Sequence, residues 1–395
     1  MERIFVQRIQ RILKSLGFWA GATRAAFSSA SMVPVVLGGA VAAAHGAFAV
    51  GPFLLSAAGV LALHLASNLV NDYYDYASGA DVIRDTRTPF YGGGTILVEG
   101  RLSPRQVSQA YRLLYTVALA TGIALAAMRS VGGLGLHAGL QVSGAVAGGN
   151  AIAPGGGVGA RASGGAALGG AAVLALGLAG FLCGYFYTAP PLRLSYRGFG
   201  EATIGLSFGP LTVAGVYFVQ AGRLGVEALE ALVASIPLGL LVAAIVFVNE
   251  FPDRAADGAA GKRTLVVRLP LRTALTGYSA LVLAPFAIVA AAILLGLLPP
   301  PTALAYLALP LAVRGIRNLR AAHGTPAPRP GPDSCGSSGG PADPGAPSAL
   351  GARQVSTVCG AYLAPRQVAA SILTILLHLA VGLLLSLGFT LDSLR

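Results

Sequence analysis

The sequence predicts an all-α polytopic membrane protein with nine transmembrane helices, and three observations carry that prediction. Hydrophobic residues make up 55% of the 395-residue chain and charged residues 11%, against roughly 25% charged in ordinary soluble domains. Apolar runs of about 20 residues recur along the chain, each long enough to cross a hydrocarbon core roughly 30 Å thick. The basic residues sort to alternate connections. A soluble globular protein is excluded.

From the amino terminus, Met1 to Leu16 places Arg3, Arg8, Arg11 and Lys14 on one helical arc and Phe5, Ile9, Ile12, Leu13 and Leu16 on the other. That pattern suits an amphipathic helix over residues 1–20 lying on the membrane surface; a disordered basic tail is the alternative. The segment lacks the continuous apolar stretch of a cleavable signal sequence. Spans are expected at roughly 26–46, 52–73, 107–128, 168–188, 201–221, 229–249, 273–297, 301–315 and 367–388, forming one domain over 21–395. The eighth is short. Two segments, Gly-rich at about 132–165 and Pro-, Gly- and Ser-rich at about 324–351, have no periodic apolar face and are expected to be flexible insertions. Cys183, Cys335 and Cys359 match no metal spacing and no disulfide framework.

The net charge of +12 raises nucleic acid as a partner, but its distribution answers otherwise. With the amino terminus in the cytoplasm, the even-numbered loops are cytoplasmic. Of the 27 Lys and Arg, all but Arg129, Arg161, Arg223 and Arg395 fall in the amino-terminal segment, in those loops or at the span ends bordering them. This is the positive-inside pattern, so the charge reports topology in a lipid bilayer, expected to be a bacterial cytoplasmic membrane, and no nucleic-acid partner is expected.

Only 15 Asp and Glu are present, yet seven of them fall in two windows. The first runs Asn68-Leu-Val-Asn-Asp-Tyr-Tyr-Asp75 and on to Asp81 and Asp85, and the second runs Asn249-Glu-Phe-Pro-Asp253-Arg-Ala-Ala-Asp257. Residues three and four apart share a helical face, so Asn68, Asp72 and Asp75 project together, as do Asn249, Asp253 and Asp257. Acids at the edge of hydrocarbon are expensive without a cation, and hard oxygen donors suit Mg²⁺, which prefers one or two carboxylates plus phosphate oxygens to an all-protein cage. Two such faces predict a diphosphate held between them through Mg²⁺.

Basic residues follow both windows: Lys262 and Arg263 after the second, Arg84, Arg87 and the glycines 92 to 94 after the first. Lys262 or Arg263 would bind phosphate oxygens and offset charge on a departing diphosphate; ordinary positive-inside charge is the plainer account of each. Tyr185-Phe-Tyr-Thr-Ala-Pro-Pro-Leu-Arg193-Leu-Ser-Tyr196-Arg197 lies at the same membrane level. Its tyrosines suit either a carbocation beside the diphosphate or an interfacial aromatic belt.

Asn71-Asp-Tyr-Tyr-Asp75 with Asp81, Gly92-Gly-Gly-Thr-Ile-Leu-Val-Glu-Gly100-Arg-Leu-Ser-Pro104, Tyr187-Thr-Ala-Pro-Pro-Leu-Arg193, and Asn249-Glu-Phe-Pro-Asp253 through Gly261-Lys-Arg-Thr-Leu265 resemble the UbiA-superfamily prenyltransferases. Within them the likeness is greatest to the 1,4-dihydroxy-2-naphthoate polyprenyltransferases of menaquinone synthesis. The resemblance covers nearly the whole chain apart from the insertions. It implies a nine-helix UbiA-type bundle with a chamber near the cytoplasmic face, open sideways to lipid for the polyprenyl chain. It further implies that Asn68, Asp72, Asp75, Asn249, Asp253 and Asp257 bind Mg²⁺ and a polyprenyl diphosphate, with Asp81 a further acid. Lys262 and Arg193 fall where the family has diphosphate-binding basic residues; many relatives have lysine at the position of Arg193, and the guanidinium changes the hydrogen-bond geometry. Tyr187 is expected to shield an allylic cation that an aromatic acceptor attacks. The acceptor itself, dihydroxynaphthoate against 4-hydroxybenzoate, homogentisate, a chlorophyllide or a glycerol phosphate, rests on the resemblance alone. A transporter is the rival class, since intramembrane acids also mark ion pathways. Its sites lie near the bilayer midplane, whereas these acids lie at helix ends.

Overall fold

The computed structural model describes residues 17–83, 95–132, 162–222, 225–324 and 365–395. The expected surface helix at Met1 to Leu16, together with Arg84, Asp85, Arg87, the glycines 92 to 94, Cys335 and Cys359, lies outside the described residues, as does most of both insertions.

Every regular element among the described residues is a helix. A 3-10 turn at Ala25–Ser28 leads into α1 (Ser29–Ala44), followed by α2 (Val50–Ala77), α3 (Pro104–Gly132) and α4 (Ala162–Phe186). Next come α5 (Gly200–Ala221), α6 (Val226–Ala259), α7 (Leu271–Leu294), α8 (Leu309–Gly324) and α9 (Pro365–Asp392). The helix α4 starts at Ala162, inside the segment expected to be an insertion, because extending an existing helix by a turn costs far less than nucleating one.

Eight of these helices are long and apolar enough to cross a membrane, against the nine expected. The difference lies at the expected eighth span, 301–315. There the chain forms a 3-10 helix over Pro300–Ala308 and then α8, which carries Arg314, Arg317 and Arg320. At about 2.0 Å rise per residue, against about 1.5 Å in an α-helix, the 3-10 turns stretch a short apolar run. No single α-helix there meets the length and composition of a span.

The core forms around α6. Ala231, Ala234, Leu238, Leu241, Phe247, Val248 and Phe251 are buried against Leu37 and Val41 of α1, Tyr278, Val282 and Phe286 of α7, and Leu377, Val381 and Leu385 of α9. Lipid supplies no hydrophobic drive for helix association, so close backbone approach through small residues carries much of the attraction. A Cβ on Gly209 of α5 would come within 2.9 Å of the Ser235 carbonyl of α6. That contact is possible only for glycine.

The helix α5 is interrupted by a π-helical turn at Ser207–Leu211 containing Pro210, where Thr212 Oγ1 donates to the Ser207 carbonyl at 2.7 Å. On the other side of the bundle, α2, α3 and α4 bury less of their apolar length than α6 does, and Leu113 and Ile123 of α3 are exposed.

Candidate active site

The helices α2 and α6 deliver both acid windows to one end of the bundle. Their spacing makes each window a face, and the faces turn inward: Asp72 and Asp75 are 3% and 2% exposed, Asp253 and Asp257 5% and 3%. Taking a carboxylate out of water costs several kcal/mol unless a cation or hydrogen bonds compensate. The compensation comes from distant parts of the chain. Arg24, in the turn before α1, donates through Nη2 to Asp72 Oδ1. Lys262 Nζ lies 3.3 Å from Asp75 Oδ2, and the Tyr196 hydroxyl donates to Asp75 Oδ1 at 2.8 Å.

The neighbouring amides are fixed too. Asn68 Nδ2 donates to the Thr23 carbonyl at 2.9 Å and Asn71 Nδ2 to Thr188 Oγ1 at 2.7 Å. The segment after α4 thus joins the first window at Thr188 and Tyr196. That segment turns back on itself, with the Ser195 backbone N–H and Oγ donating to the Tyr187 carbonyl at 2.9 and 2.8 Å. Arg193 and Gly198, at φ of 46° and 79°, take left-handed conformations to make the turn.

A cavity of about 870 Å³ lies between the windows. At its polar end it is lined by Asn68, Asp75, Asn249, Asp253, Asp257 and Lys262, with Tyr187 and Arg24 beside them. Away from that end the wall is apolar, built from residues such as Leu63, Leu119, Leu178, Phe181, Phe208 and Ile245. One chamber therefore offers carboxylates and cations to an anionic head and an apolar slot to a long tail, the combination a ligand site uses for orientation and affinity respectively.

Seven of the residues singled out from sequence line this chamber. Asp72 stands behind it, paired with Arg24, and Asp81 is 8% exposed on the short helix Ala80–Ile83. Arg193 and Arg263 are not part of the lining. The Arg193 guanidinium lies 5.4 Å from the centre of the Tyr196 ring, and Arg263 is exposed, with its backbone N–H donating to the Tyr196 carbonyl. Arg24, Tyr196 and Thr188 were missed as site residues. Nothing in the sequence distinguishes Arg24 from the other basic residues of its segment, while Tyr196 carries a weak signal in the aromatic run around Arg193.

Two phenols have shifted acidity. Burial first, and then the Glu250 carboxylate, pushes Tyr187 well above the ordinary tyrosine range; burial and Asp75 do the same to Tyr196. Both therefore stay neutral at physiological pH, and Tyr196 keeps the proton it donates to Asp75.

The donor set fits Mg²⁺ only in company with a phosphate. Among the described residues no three His, Cys, Asp or Glu side chains converge on one point as a metal cage. Buried carboxylates facing the chamber from both windows, Asp75 from the first and Asp253 and Asp257 from the second, beside Lys262, are what a Mg²⁺ completed by diphosphate oxygens requires.

The sequence profile of the UbiA prenyltransferase family matches residues 31–141 and 139–328. The 1,4-dihydroxy-2-naphthoate octaprenyltransferase of Bacillus subtilis is 25% identical over 297 residues, covering 75% of this chain and 80% of that protein. The 2-carboxy-1,4-naphthoquinone phytyltransferase of Synechocystis is 34% identical over 151 residues, 38% of this chain and 48% of that one. UbiA prenyltransferase domain-containing protein 1 of Gallus gallus is 31% identical over 262 residues, 66% and 64% of the two chains. The match thus spans less than two thirds of the length of the latter two relatives. Among solved structures, a UbiA homolog from Archaeoglobus fulgidus bound to DMAPP and Mg²⁺ aligns over 92% of this chain and 98% of that chain, with a TM-score of 0.47 and 14% sequence identity. The matched stretches contain both acid windows, Lys262 and the Tyr187 segment, and the chain belongs to the UbiA prenyltransferase family.

Proposed function

We propose that the protein transfers a polyprenyl chain from its diphosphate to an aromatic acceptor in a Mg²⁺-dependent reaction, and that the acceptor is 1,4-dihydroxy-2-naphthoate, as in menaquinone biosynthesis. The observation that carries the reading is the single chamber in which both acid windows and Lys262 meet an apolar slot. The named activity of the Bacillus subtilis relative supports the acceptor.

Asn68, Asp72, Asp75, Asn249, Asp253 and Asp257 would hold the metal and, through it, the diphosphate, with Asp81 a further acid. When bound, Mg²⁺ supplies charge neutralisation of the departing diphosphate. Lys262 binds its oxygens directly and stabilises the charge that grows as the allylic C–O bond breaks. Arg193 and Arg263 are proposed for the entry of the diphosphate, since they stand at the same end without lining the chamber. The neutral phenol of Tyr187 turns an electron-rich ring toward the allylic carbon and shields the cation from water. The apolar wall holds the tail. The acceptor ring then attacks through carbon, and loss of its carboxyl group as CO₂ restores aromaticity.

The basic loops argue for a cytoplasmic acid-bearing end, and the Bacillus subtilis relative supports a bacterial cytoplasmic membrane as the site of the reaction. The test is direct: membranes containing the protein are incubated with labelled polyprenyl diphosphate, Mg²⁺ and a panel of aromatic acceptors, and products are identified by mass. Prenylated, decarboxylated naphthoquinol formed only with Mg²⁺ supports the reading. A prenylated product from a different acceptor moves the assignment, and no prenylated product sinks it.

A further inference from the structure

We infer that Gln367 and His323 are positioning residues of the second acid window, holding α6 where Pro252 removes a backbone hydrogen bond. The window contains a proline inside a helix, immediately before Asp253. Proline has no N–H, and its ring crowds the carbonyl four residues earlier, here that of Val248. A carbonyl left without a partner inside a membrane protein costs several kcal/mol, so something must meet it. Gln367, the third residue of α9 and 3% exposed, donates Nε2 to the Val248 carbonyl at 2.9 Å.

The glutamine is itself oriented. With its amide nitrogen committed to Val248, its oxygen must accept, and His323 Nε2, in the last turn of α8, lies 2.9 Å from it and donates. The His323 ring also packs on Phe251, with centroids 5.1 Å apart. Two side chains from α8 and α9 therefore grip residues 248 and 251 of α6. At about 100° per residue these lie roughly opposite Asn249, Asp253 and Asp257, so the grip is on the back of the helix whose front carries the acids. Neither Gln367 nor His323 lines the chamber. Their effect reaches the ligand only through the setting of α6.

Without the Gln367 donor, the carbonyl can find a partner only if α6 bends or rotates at Pro252, which displaces Asn249 and Asp253 relative to the first window. The first window has no such proline. The inference rests on the prenyl-transfer reading for the identity of the ligand, and its test is arranged to fail separately.

Detergent-purified full-length protein is titrated with Mg²⁺ and inorganic pyrophosphate by calorimetry. Gln367→Met, which keeps the bulk and removes the donor, is expected to weaken pyrophosphate binding about tenfold, the scale seen when a supporting partner of a metal ligand is lost. In transfer assays the KM for prenyl diphosphate rises in parallel, while the KM for the aromatic acceptor stays within about twofold. His323→Leu leaves Gln367 in place but unoriented, with about a threefold loss.

Adding Pro252→Ala to Gln367→Met supplies an N–H at residue 252 for the Val248 carbonyl and is expected to restore binding to within about threefold of the native protein. Native affinity in Gln367→Met, or a double variant that binds no better than the single one, overturns the inference. Should Gln367→Met fail to accumulate, recovery of a folded, binding-competent double variant supports it and loss of both overturns it. A native protein that binds pyrophosphate but transfers no prenyl chain defeats the proposed function instead.

Discussion

The helices α2 and α6 each bring an Asn-then-Asp ladder to the same chamber, yet 72% of the most apolar stretch of α6 is buried inside the bundle against 33% of that of α2. The two ladders are consequently held by different means. On α6, packing on α1, α5, α7 and α9 fixes the backbone, and Gln367 and His323 secure the point where Pro252 leaves out a backbone hydrogen bond. On α2, with lipid-facing neighbours in α3 and α4, the side chains are tied instead: Arg24 to Asp72, Tyr196 and Lys262 to Asp75, the Thr23 carbonyl to Asn68. A diphosphate site gains from this division. One wall is fixed by packing, and the other is oriented by polar contacts that an incoming anion can exchange for its own.

The largest expected effect tests whether both walls are needed. Asp72→Ala and Asp253→Ala should each lower prenyl transfer by about a thousandfold or more, with the protein still present in the membrane. Transfer rates and membrane protein levels measured side by side decide it. Near-native transfer by either variant would leave a one-sided site.

Lys262 bridges the walls, lying beyond the end of α6 and reaching Asp75 on α2. Lys262→Ala should cost about a hundredfold in kcat/KM for the prenyl diphosphate, and Lys262→Arg about tenfold, because the charge survives while its geometry changes. Equal losses in the two variants would show that retaining the charge rescues nothing.

The packing contrast has its own test in thermal unfolding of purified protein. Leu238→Ala, fully buried on α6, should lose about 2–4 kcal/mol. Leu113→Ala, 65% exposed on α3, should lose less than about 0.5 kcal/mol. Similar losses would erase the distinction between the packed and the open side.

The smallest effect sharpens the account of the first window. Tyr196→Phe removes one hydrogen bond to Asp75 and should cost about 1 kcal/mol, roughly fivefold in kcat/KM. Because burial and Asp75 raise the phenol above its ordinary value, the neutral donor persists across about pH 6 to 9. The ratio of native to variant rates should be flat there, and a ratio that changes through this range would mean the phenol ionises.

Much of the molecule was legible before folding. Apolar length specified the membrane spans because a hydrocarbon core imposes a thickness, and the three- and four-residue spacing specified that Asn68, Asp72 and Asp75 share a face because helical periodicity is local. The segment at 301–315 was harder, since hydropathy has no way to register that Pro300–Ala308 would wind as a stretched 3-10 helix. Pro252 lies within the second window, but its consequence, a Val248 carbonyl met by Gln367, emerged only from the structure.

What the sequence by itself determined is therefore the class of protein and the two oxygen-rich faces, both consequences of interactions within a few residues or between a segment and lipid. Tertiary structure alone decided that the faces meet across one chamber, that Arg24 and Lys262 divide the carboxylates of the first window between them, and that Gln367 reaches 119 residues back to the Val248 carbonyl of α6. Those pairings join groups far apart along the chain, and the low dielectric of the interior made each of them necessary without making any of them local.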